Sequence, residues 1–255
     1  MNEFKVNIKN ISFSRSKVDI IIPVHNYSII NLVYSIINSV RSNPYKITII
    51  DDFSNNKINY FDNFDKERPT GVEPMIQTIR SETQKGFAAS LNIGIQNTKN
   101  PWILCMHSDC IIENKNFMIE LGKSLMENKD NNIRLFSSMT NNLDPKYNEL
   151  IGEKSKIYND KISEKPIPLF CFMFHRELLN KIGMFKEYPY VGFENEELFY
   201  RMKFHGYKMG ICGRSWIHHE NHGTTKLLIK NKTIKEEMLK NRERCVNDLK
   251  KIFSS

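Results

Sequence analysis

Three short apolar runs in the chain each end in a cluster of acidic or imidazole side chains. They are residues 47–50, followed by Asp51 and Asp52; residues 102–106, followed by His107, Ser108 and Asp109; and residues 216–217, followed by His218, His219 and His222. Such a run, bounded by polar residues, is typical of a strand buried on both faces of a sheet. Ligands of open α/β sheets bind at the carboxyl ends of strands. The pattern therefore predicts an α/β fold with a ligand site along one edge of its sheet.

The rest of the chain alternates strand and helix patterns. Residues 18–24 predict a strand, the helical spacing of apolar residues over 29–40 predicts an amphipathic helix, and 47–50 predict the next strand. This unit implies a parallel strand pair. Further strands are predicted at 75–79, 102–106, 133–138, 169–174 and 209–212, and helices at 86–95, 117–126, 178–185 and 194–204. Residues 139–168, poor in apolar side chains, predict a surface excursion that helps to choose a partner or substrate.

Composition and charge restrict the class of protein. The 255 residues are 40% hydrophobic and 26% charged, as in globular proteins, and no segment approaches the roughly 20 apolar residues of a membrane span. The N-terminus lacks a signal-peptide pattern, and the five cysteines contain no Cys-x-x-Cys pair. We therefore expect a reducing, cytoplasmic location.

The net charge of +8 is concentrated near the C-terminus. Residues 226–255 hold nine Lys/Arg and four Asp/Glu, a net of +5, which leaves +3 for the other 225 residues. Without a basic patch interleaved with aromatics, nucleic acid is not an expected partner. This segment predicts a basic amphipathic helix whose apolar face contains Ile234, Met238, Cys245, Leu249 and Ile252. The helix either packs on the domain, which we favour, or contacts an anionic membrane surface or another subunit.

The His-Ser-Asp tripeptide is a candidate metal site. Residues i and i+2 leave a strand end on the same side, so His107 and Asp109 can face one ion. Mg²⁺ and Mn²⁺ take oxygen ligands, and Mn²⁺ also accepts imidazole. One or two of His218, His219 and His222, predicted to lie in a loop, would complete the set. The alternatives are a polar turn and a histidine-rich surface loop.

Two further groups of polar residues are candidates for binding or catalysis. Asp51 and Asp52 can accept hydrogen bonds from a uracil imide or a ribose, and a Pro-x-x-Asn sequence at the neighbouring strand end favours this over a simple turn. Glu194, Glu196 and Glu197 open a predicted helix, where acids also complement the helix dipole. We assign Glu197 to an i, i+4 ion pair with Arg201, and Glu194 or Glu196 to proton transfer.

Six motifs occur in a recognisable order. They are Pro23-Val24-His25-Asn26, Ile50-Asp51-Asp52-Phe53-Ser54, the segment from Gly86 to Gly94, His107-Ser108-Asp109, the block from Ile182 to Arg201, and Ile217-His218-His219. In this order they resemble the motifs of GT-A fold glycosyltransferases, in particular the large family 2 of inverting enzymes. The resemblance runs from about residue 18 to residue 225.

The resemblance implies a Rossmann-like nucleotide-binding half with a mostly parallel sheet up to about residue 109, an acceptor half at 110–225 and a C-terminal helix at 226–255. It implies hexosyl or N-acetylhexosaminyl transfer from a nucleotide-diphosphate sugar, UDP-linked, to a glycan or glycoconjugate hydroxyl, as in polysaccharide biosynthesis. A Mn²⁺ or Mg²⁺ ion would be held by Asp109, His107 and His218. Nucleotide binding is assigned to Pro23, Val24, Asn26, Asp51, Asp52, Arg80, Lys85, Gly86 and Ser108.

The sequence departs from the family pattern at two positions. His107 replaces the first acid of the Asp-x-Asp motif, and Asn195 replaces the acid that acts as base. A Glu-Asn pair also occurs in retaining polypeptide N-acetylgalactosaminyltransferases, so inversion is the general expectation of the family alone. Our hypothesis is that Glu194 or Glu196 acts as the base. The alternatives are a non-catalytic sugar- or nucleotide-binding protein and a nucleotidyltransferase, which would be expected to carry a triphosphate loop near the first strand.

Overall fold

The computed structural model describes residues 13, 16–40, 45–59, 61, 75–220 and 230–254. Within these residues the strands are β1 (Val18–Val24), β2 (Tyr45–Asp51), β3 (Met75–Arg80), β4 (Trp102–Met106), β5 (Cys110–Ile111), β6 (Ile133–Thr140), β7 (Lys161–Ile162), β8 (Cys171–His175) and β9 (Lys208–His219). The α-helices are α1 (Ile30–Ser39), α2 (Phe87–Gln96), α3 (Phe117–Glu127), α4 (Glu177–Ile182), α5 (Glu194–Phe204) and α6 (Lys232–Phe253).

The strands form one mixed sheet in the order β3-β2-β1-β4-β8-β6-β9-β5, with β7 also paired to β9. Strands β3, β2, β1 and β4 are parallel, as are β6 and β9, whereas β8 runs antiparallel to both of its neighbours. The predicted α/β fold with a mostly parallel sheet is confirmed. The apolar runs of β1, β2 and β4 are buried along almost their whole length, as expected of strands covered on both faces.

The last strand is much longer than the sequence pattern indicates. The predicted strand at 209–212 becomes β9, which continues to His219. It pairs with β6 on both sides of an irregularity between Ser138 and Met139, which takes up the extra residues around Gly213 and Arg214. The prediction that His218 and His219 lie in a loop is therefore wrong, because both belong to this strand.

The segment 139–168 is more structured than the predicted surface excursion. Its first two residues, Met139 and Thr140, are buried and complete β6. A 3₁₀ helix follows at Pro145–Leu150, and β7 pairs with the middle of β9. The few apolar side chains of this segment include Leu150 and Ile167, which are buried in the core and anchor the excursion to the sheet.

The predicted C-terminal helix is present as α6, and it packs against α5. The predicted apolar face is buried at Cys245 and half-buried at its other four positions. Leu239, Val246 and Phe253 are exposed at a spacing of seven residues, beside that face, and the ring of Phe253 meets the ring of Phe204 in α5 edge-on at 5.6 Å. Among the described residues, no helix is both long and apolar enough to cross a membrane.

Candidate active site

The candidate metal site lies where β4 and β9 end. His107 and Asp109 follow β4, and the pairing of Cys110 with His219 across β5 and β9 brings the end of β9 beside them. His219 Nε2 lies 3.2 Å from Asp109 Oδ1, and His107 Nδ1 lies 4.0 Å from the same oxygen. One ligand atom from each of these three residues lies within 4.8 Å of the other two.

The chemistry of this cluster fits a divalent cation. Nε2 of His219 is buried and has no hydrogen-bond partner among the described residues, although it faces the Asp109 carboxylate. The other ring nitrogen, Nδ1, lies 3.5 Å from the carbonyl oxygen of Asn142. A proton on Nδ1 leaves the Nε2 lone pair free for a metal, which is the usual arrangement of a metal-binding histidine. Two imidazoles and a carboxylate are ligands that divalent metal ions accept in proteins.

The protonation states of the cluster agree with this use. Burial lowers the pKa of His107 to about 4, against the opposing effect of Asp109, so the ring is neutral at pH 7. Burial alone would raise the pKa of Asp109, but the adjacent imidazoles of His219 and His107 outweigh that effect and hold it at about 2. A neutral imidazole and an ionised carboxylate are the forms that coordinate metals.

The structure brings His219, not the predicted His218, to the metal cluster. Successive side chains of a strand point to opposite faces, so only one of two adjacent histidines can face Asp109. His218 is half-buried, and its ring centroid lies 6.3 Å from that of Trp216, two residues before it on the same face. His222 lies outside the described residues. This alternation selects His219 over His218. It was not predicted because the sequence pattern ended the strand at residue 212, before the histidines.

Asp51 is buried and serves as the anchor of the loop after β2. It accepts hydrogen bonds from the Ser54 amide (2.8 Å) and the Ile58 amide (3.3 Å), and Nη1 of Arg80 donates to it at 2.5 Å. Burial raises its pKa, but these donors outweigh that effect and lower it. The carboxylate thus stays ionised and holds the predicted phosphate-binding side chain of Arg80 at the crevice wall.

Asp52 accepts hydrogen bonds from the backbone amides of Lys85 (2.7 Å) and Gly86 (2.9 Å), just before α2 begins. Both predicted nucleoside-binding carboxylates are therefore already hydrogen-bonded to the protein. In the structure both carboxylates stabilise turns, which is the alternative to nucleoside binding, and they hold the loops after β2 and β3 in place. The side chain of Lys85 itself is exposed.

The loops after β1 and β2 are tied together through Asn26. Its backbone amide donates to Ser54 Oγ (2.9 Å), and its side-chain oxygen accepts from the Asn55 amide (2.7 Å). Pro23 and Val24 lie buried in β1, where they support this loop from below. The predicted Ser108 is also buried, between the two metal-site residues.

Three side chains near the site were not predicted from the sequence. Phe53 is 46% exposed, with Arg80 5.3 Å above its ring, and Tyr27 donates to the Glu220 carboxylate at 2.5 Å. Burial and the adjacent Glu220 raise the pKa of Tyr27, so its hydroxyl remains a donor. The Glu220 amide donates to the Asp109 carbonyl, which places this pair beside the metal cluster. In the sequence, the signal that could have identified Phe53 is an aromatic residue within a polar segment at the end of a strand.

The loop that precedes the candidate base Glu194 contacts α2 beside the metal cluster. The carbonyl of Tyr190 accepts a hydrogen bond from the Phe87 amide (2.8 Å), and the ring of Phe87 contacts His107 edge-on at 4.9 Å. Glu194 begins α5 and is buried, and its carboxylate accepts from the Gly192 amide at 2.6 Å. Burial, with a contribution from Glu196, raises its pKa to about 7.

Glu196 is only half-buried, and its negative charge acts on Lys146 in the neighbouring 3₁₀ helix. Glu197 instead forms the predicted ion pair with Arg201, fully buried, at 2.7 and 2.8 Å. The three acids that open α5 therefore lie in three different environments. Burial brings the pKa of Glu194 close to neutral pH.

Comparison with known proteins identifies the family. The family described as "Glycosyl transferase family 2" matches residues 19–183, well over half of the chain. The chain belongs to glycosyl transferase family 2. The predicted resemblance is thereby confirmed. A sequence search of curated proteins finds no match to this family 2 chain.

Solved structures similar to the family 2 chain include GalNAc-T7 with UDP, GalNAc and Mn²⁺, at 19% identity and a TM-score of 0.63, covering 80% of this chain and 44% of that one. The mannosyltransferase PcManGT of Pyrobaculum calidifontis, in complex with GDP-Man and Mn²⁺, has 17% identity and a TM-score of 0.63, covering 90% and 65%. Residues 1–349 of TarS from Staphylococcus aureus with UDP-GlcNAc have 15% identity and a TM-score of 0.56, covering 79% and 58%. The chain spans about half to two thirds of these proteins, and the likeness shows the GT-A fold.

Gly86→Ala is expected to destabilise this family 2 chain by at least about 2 kcal/mol. Gly86 has φ +97°, and an added Cβ would lie 2.3 Å from the carbonyl oxygen of Tyr190, a backbone atom that cannot swing aside. Urea unfolding measures the change. Gly206→Ala is the matched control, since Gly206 has φ +75° but nothing within 4 Å of the added carbon. Equal losses in both variants would show that backbone strain alone matters, without the contact to Tyr190.

Proposed function

We propose that this protein is a metal-dependent glycosyltransferase that moves a sugar from a nucleotide-diphosphate sugar, UDP-linked, to a hydroxyl of a glycan or glycoconjugate. The observation that carries the proposal is the cluster of His107, Asp109 and His219 at the carboxyl ends of the strands, with a buried His219 nitrogen that has no hydrogen-bond partner among the described residues. Its support from relatives is the family membership and the UDP, GDP-Man and Mn²⁺ bound by proteins of the same fold.

The proposed mechanism divides the work between the two halves of the domain. His107, Asp109 and His219 would hold a Mn²⁺ or Mg²⁺ ion, which would act as a Lewis acid and neutralise the diphosphate leaving group. The nucleotide half, to about residue 109, binds the donor with the crevice formed by the loops after β1 and β2, with Arg80 placed to assist the diphosphate. The acceptor half, 110–225, presents Glu194, which accepts the proton of the attacking hydroxyl. We propose inversion, as in the family, with the hydroxyl displacing the diphosphate directly from the sugar while Glu194 takes its proton.

Glu194→Gln is expected to lower kcat by about 10²- to 10⁴-fold, the usual contribution of a general base. Because the base must be ionised, the activity of the wild-type protein should rise with pH through about 7, the pKa of Glu194, and the variant should lose this dependence. The pKa of Glu194 is higher in the folded protein than in the unfolded chain, so the free energy of unfolding falls as the pH rises between these two pKa values. At pH 8 the wild-type protein carries the full cost of the buried charge, and the Glu194→Gln variant should be more stable. Initial rates and urea unfolding from pH 5.5 to 8.5 measure both effects.

Glu196→Gln is the matched control, because Glu196 lies two residues further along α5 and is half-exposed. It should retain the pH dependence near 7 and most of the turnover. If Glu196→Gln removes turnover and Glu194→Gln does not, Glu196 is the base. Near-full turnover in both variants contradicts a carboxylate base at the start of α5.

The experiment that tests the function is a thermal-shift panel with UDP, GDP, CDP and dTDP, each with Mn²⁺, Mg²⁺ or EDTA. A ligand at 100 times its Kd stabilises the native state by about 2.7 kcal/mol. We expect one diphosphate to stabilise the protein only when metal is present. If none does so, the donor proposal fails.

A non-catalytic sugar- or nucleotide-binding protein is the second candidate. One observation favours it: Asn195 occupies the position of the family's base, and its buried side-chain oxygen has no partner among the described residues. Release of free sugar or transfer product from the nucleotide sugar whose diphosphate binds separates the two candidates, because a binding protein gives neither.

For location, we propose a cytoplasmic protein that contacts the inner face of a membrane through α6. Its exposed Leu239, Val246 and Phe253 lie on one side of a helix rich in lysine and arginine. Such a surface favours anionic lipid. Sedimentation with phosphatidylserine vesicles should be salt-sensitive, and sedimentation equilibrium would reveal self-association through the same face instead.

A further inference from the structure

A buried polar residue of the C-terminal helix, Asn241, contacts the loop that precedes Glu194. Asn241 is 0% exposed in α6, whereas most of its neighbours on the helix are exposed or half-exposed. Its side-chain nitrogen donates to the carbonyl oxygens of Pro189 (2.9 Å) and Val191 (3.3 Å). A buried amide is costly unless its hydrogen bonds are made, and both are made to one loop.

The amide is itself held in place. Its oxygen accepts a hydrogen bond from Nη1 of Arg244 at 2.6 Å, and Arg244 is also paired with Glu237 one turn before Asn241. This network fixes the orientation of the amide, so that the nitrogen, not the oxygen, faces the loop. A second contact from the same helix reaches the loop where Tyr188 donates to Asp248 at 3.3 Å.

The loop that Asn241 holds, residues 188–193, has a backbone that requires support. Tyr190 and Phe193 have φ of +65° and +71°, in the left-handed region that is unfavourable for residues with a side chain. Such conformations persist only when the surroundings impose them. On its other side the Tyr190 carbonyl of this loop accepts from the Phe87 amide, and near its end the Gly192 amide donates to Glu194.

We infer that Asn241 is a positioning residue, which holds the 188–193 loop so that the Glu194 carboxylate and the Tyr190 contact with α2 keep their places in the site. The catalytic part of this inference rests on the proposed function. The loop lies between α6 and the start of α2, so a change at Asn241 acts on the crevice without touching the metal ligands. The C-terminal helix is thereby a part of the active site's framework as well as a covering for α5.

The test compares Asn241→Ala and the near-isosteric Asn241→Asp with Asn247→Asp, which adds the same charge at an exposed position of α6. Hydrogen exchange of segment 188–194 in the full chain is expected to rise about tenfold or more in both Asn241 variants, with the central strands unchanged. The turnover should fall about 10²-fold, as for a misplaced reacting group, with the metal-dependent affinity for UDP retained. The pH midpoint of turnover should move below 7, because a loosened loop admits water to Glu194.

A uniformly lower stability, with unchanged exchange in 188–194 and an unchanged pH midpoint, would overturn the inference and leave Asn241 a structural residue. If the wild-type chain turns over no nucleotide sugar, the proposed function fails by itself. Hydrogen exchange then decides the inference alone: local opening of 188–194 in the Asn241 variants supports the positioning of the loop, and its absence refutes it. Asn247→Asp should match wild type in every measurement.

Discussion

Asp109→Asn is expected to abolish metal-dependent binding of UDP and to lower kcat/KM by about 10³-fold or more, the scale of losing electrostatic stabilisation of a leaving group. Asp109 supplies the negative charge of the described metal cluster, and it faces two imidazoles that are neutral when they bind a cation. Asparagine keeps the shape but removes the charge. Titration calorimetry with Mn²⁺ and UDP, together with initial rates, measures both effects.

His219 and His218 provide a matched pair for the same site. His219→Ala should weaken Mn²⁺ binding by about 10- to 100-fold, since even loss of an outer-shell partner has effects of that size. His218→Ala should change metal affinity little, because its side chain leaves the strand on the other face. The opposite ranking would restore the ligand set predicted from the sequence and would show that β9 ends earlier than His219.

Arg201→Met is expected to destabilise the protein by about 3–5 kcal/mol, the effect of leaving one partner of a buried ion pair without its counter-charge. Both oxygens of Glu197 accept from Arg201, and the pair is 5% and 0% exposed. Arg201 also donates to the carbonyls of Ile182 and Gly183, which the variant would leave without that donor. Urea unfolding at pH 7 gives the free energy directly.

Two controls make the Arg201 result specific. In the double variant Glu197→Leu/Arg201→Met the unpaired charge is removed as well, so part of the lost stability should return. Glu153→Gln, in an exposed pair with Lys156, should leave the unfolding midpoint unchanged. A loss of under about 1 kcal/mol for Arg201→Met would mean that Glu197 reaches water or becomes protonated without cost.

Local patterns were sufficient for most of the elements. The predicted strands at 18–24 and 102–106 and the helix at 194–204 have the observed bounds, because a continuous apolar run and a helical repeat are both visible in adjacent residues. The Glu197–Arg201 pair was predictable for the same reason, since both residues lie on one helix at a spacing of four. The order of short motifs likewise identified the family.

Features that depend on contacts between distant parts of the chain were harder to predict from the sequence. The antiparallel direction of β8 does not show in its own apolar run, because hydrophobicity carries no strand direction. The regular structure of segment 139–168 was not predicted, because its few apolar residues are buried by strands that lie elsewhere in the sequence. The inward-facing hydrogen bonds of Asp51 and Asp52 depend on loops that follow β2 and β3.

The sequence by itself determined the α/β fold, the family and the residue types of the site, because these follow from periodicity and short motifs. Only the tertiary structure decided that His219 faces Asp109, since a shift of one residue in a strand's register moves every side chain to the other face of the sheet. It also decided that Asn241, about fifty residues after Pro189 and Val191, reaches their carbonyls. Contacts of that kind arise from packing between elements, and no local pattern of residues encodes which partner a buried amide will find.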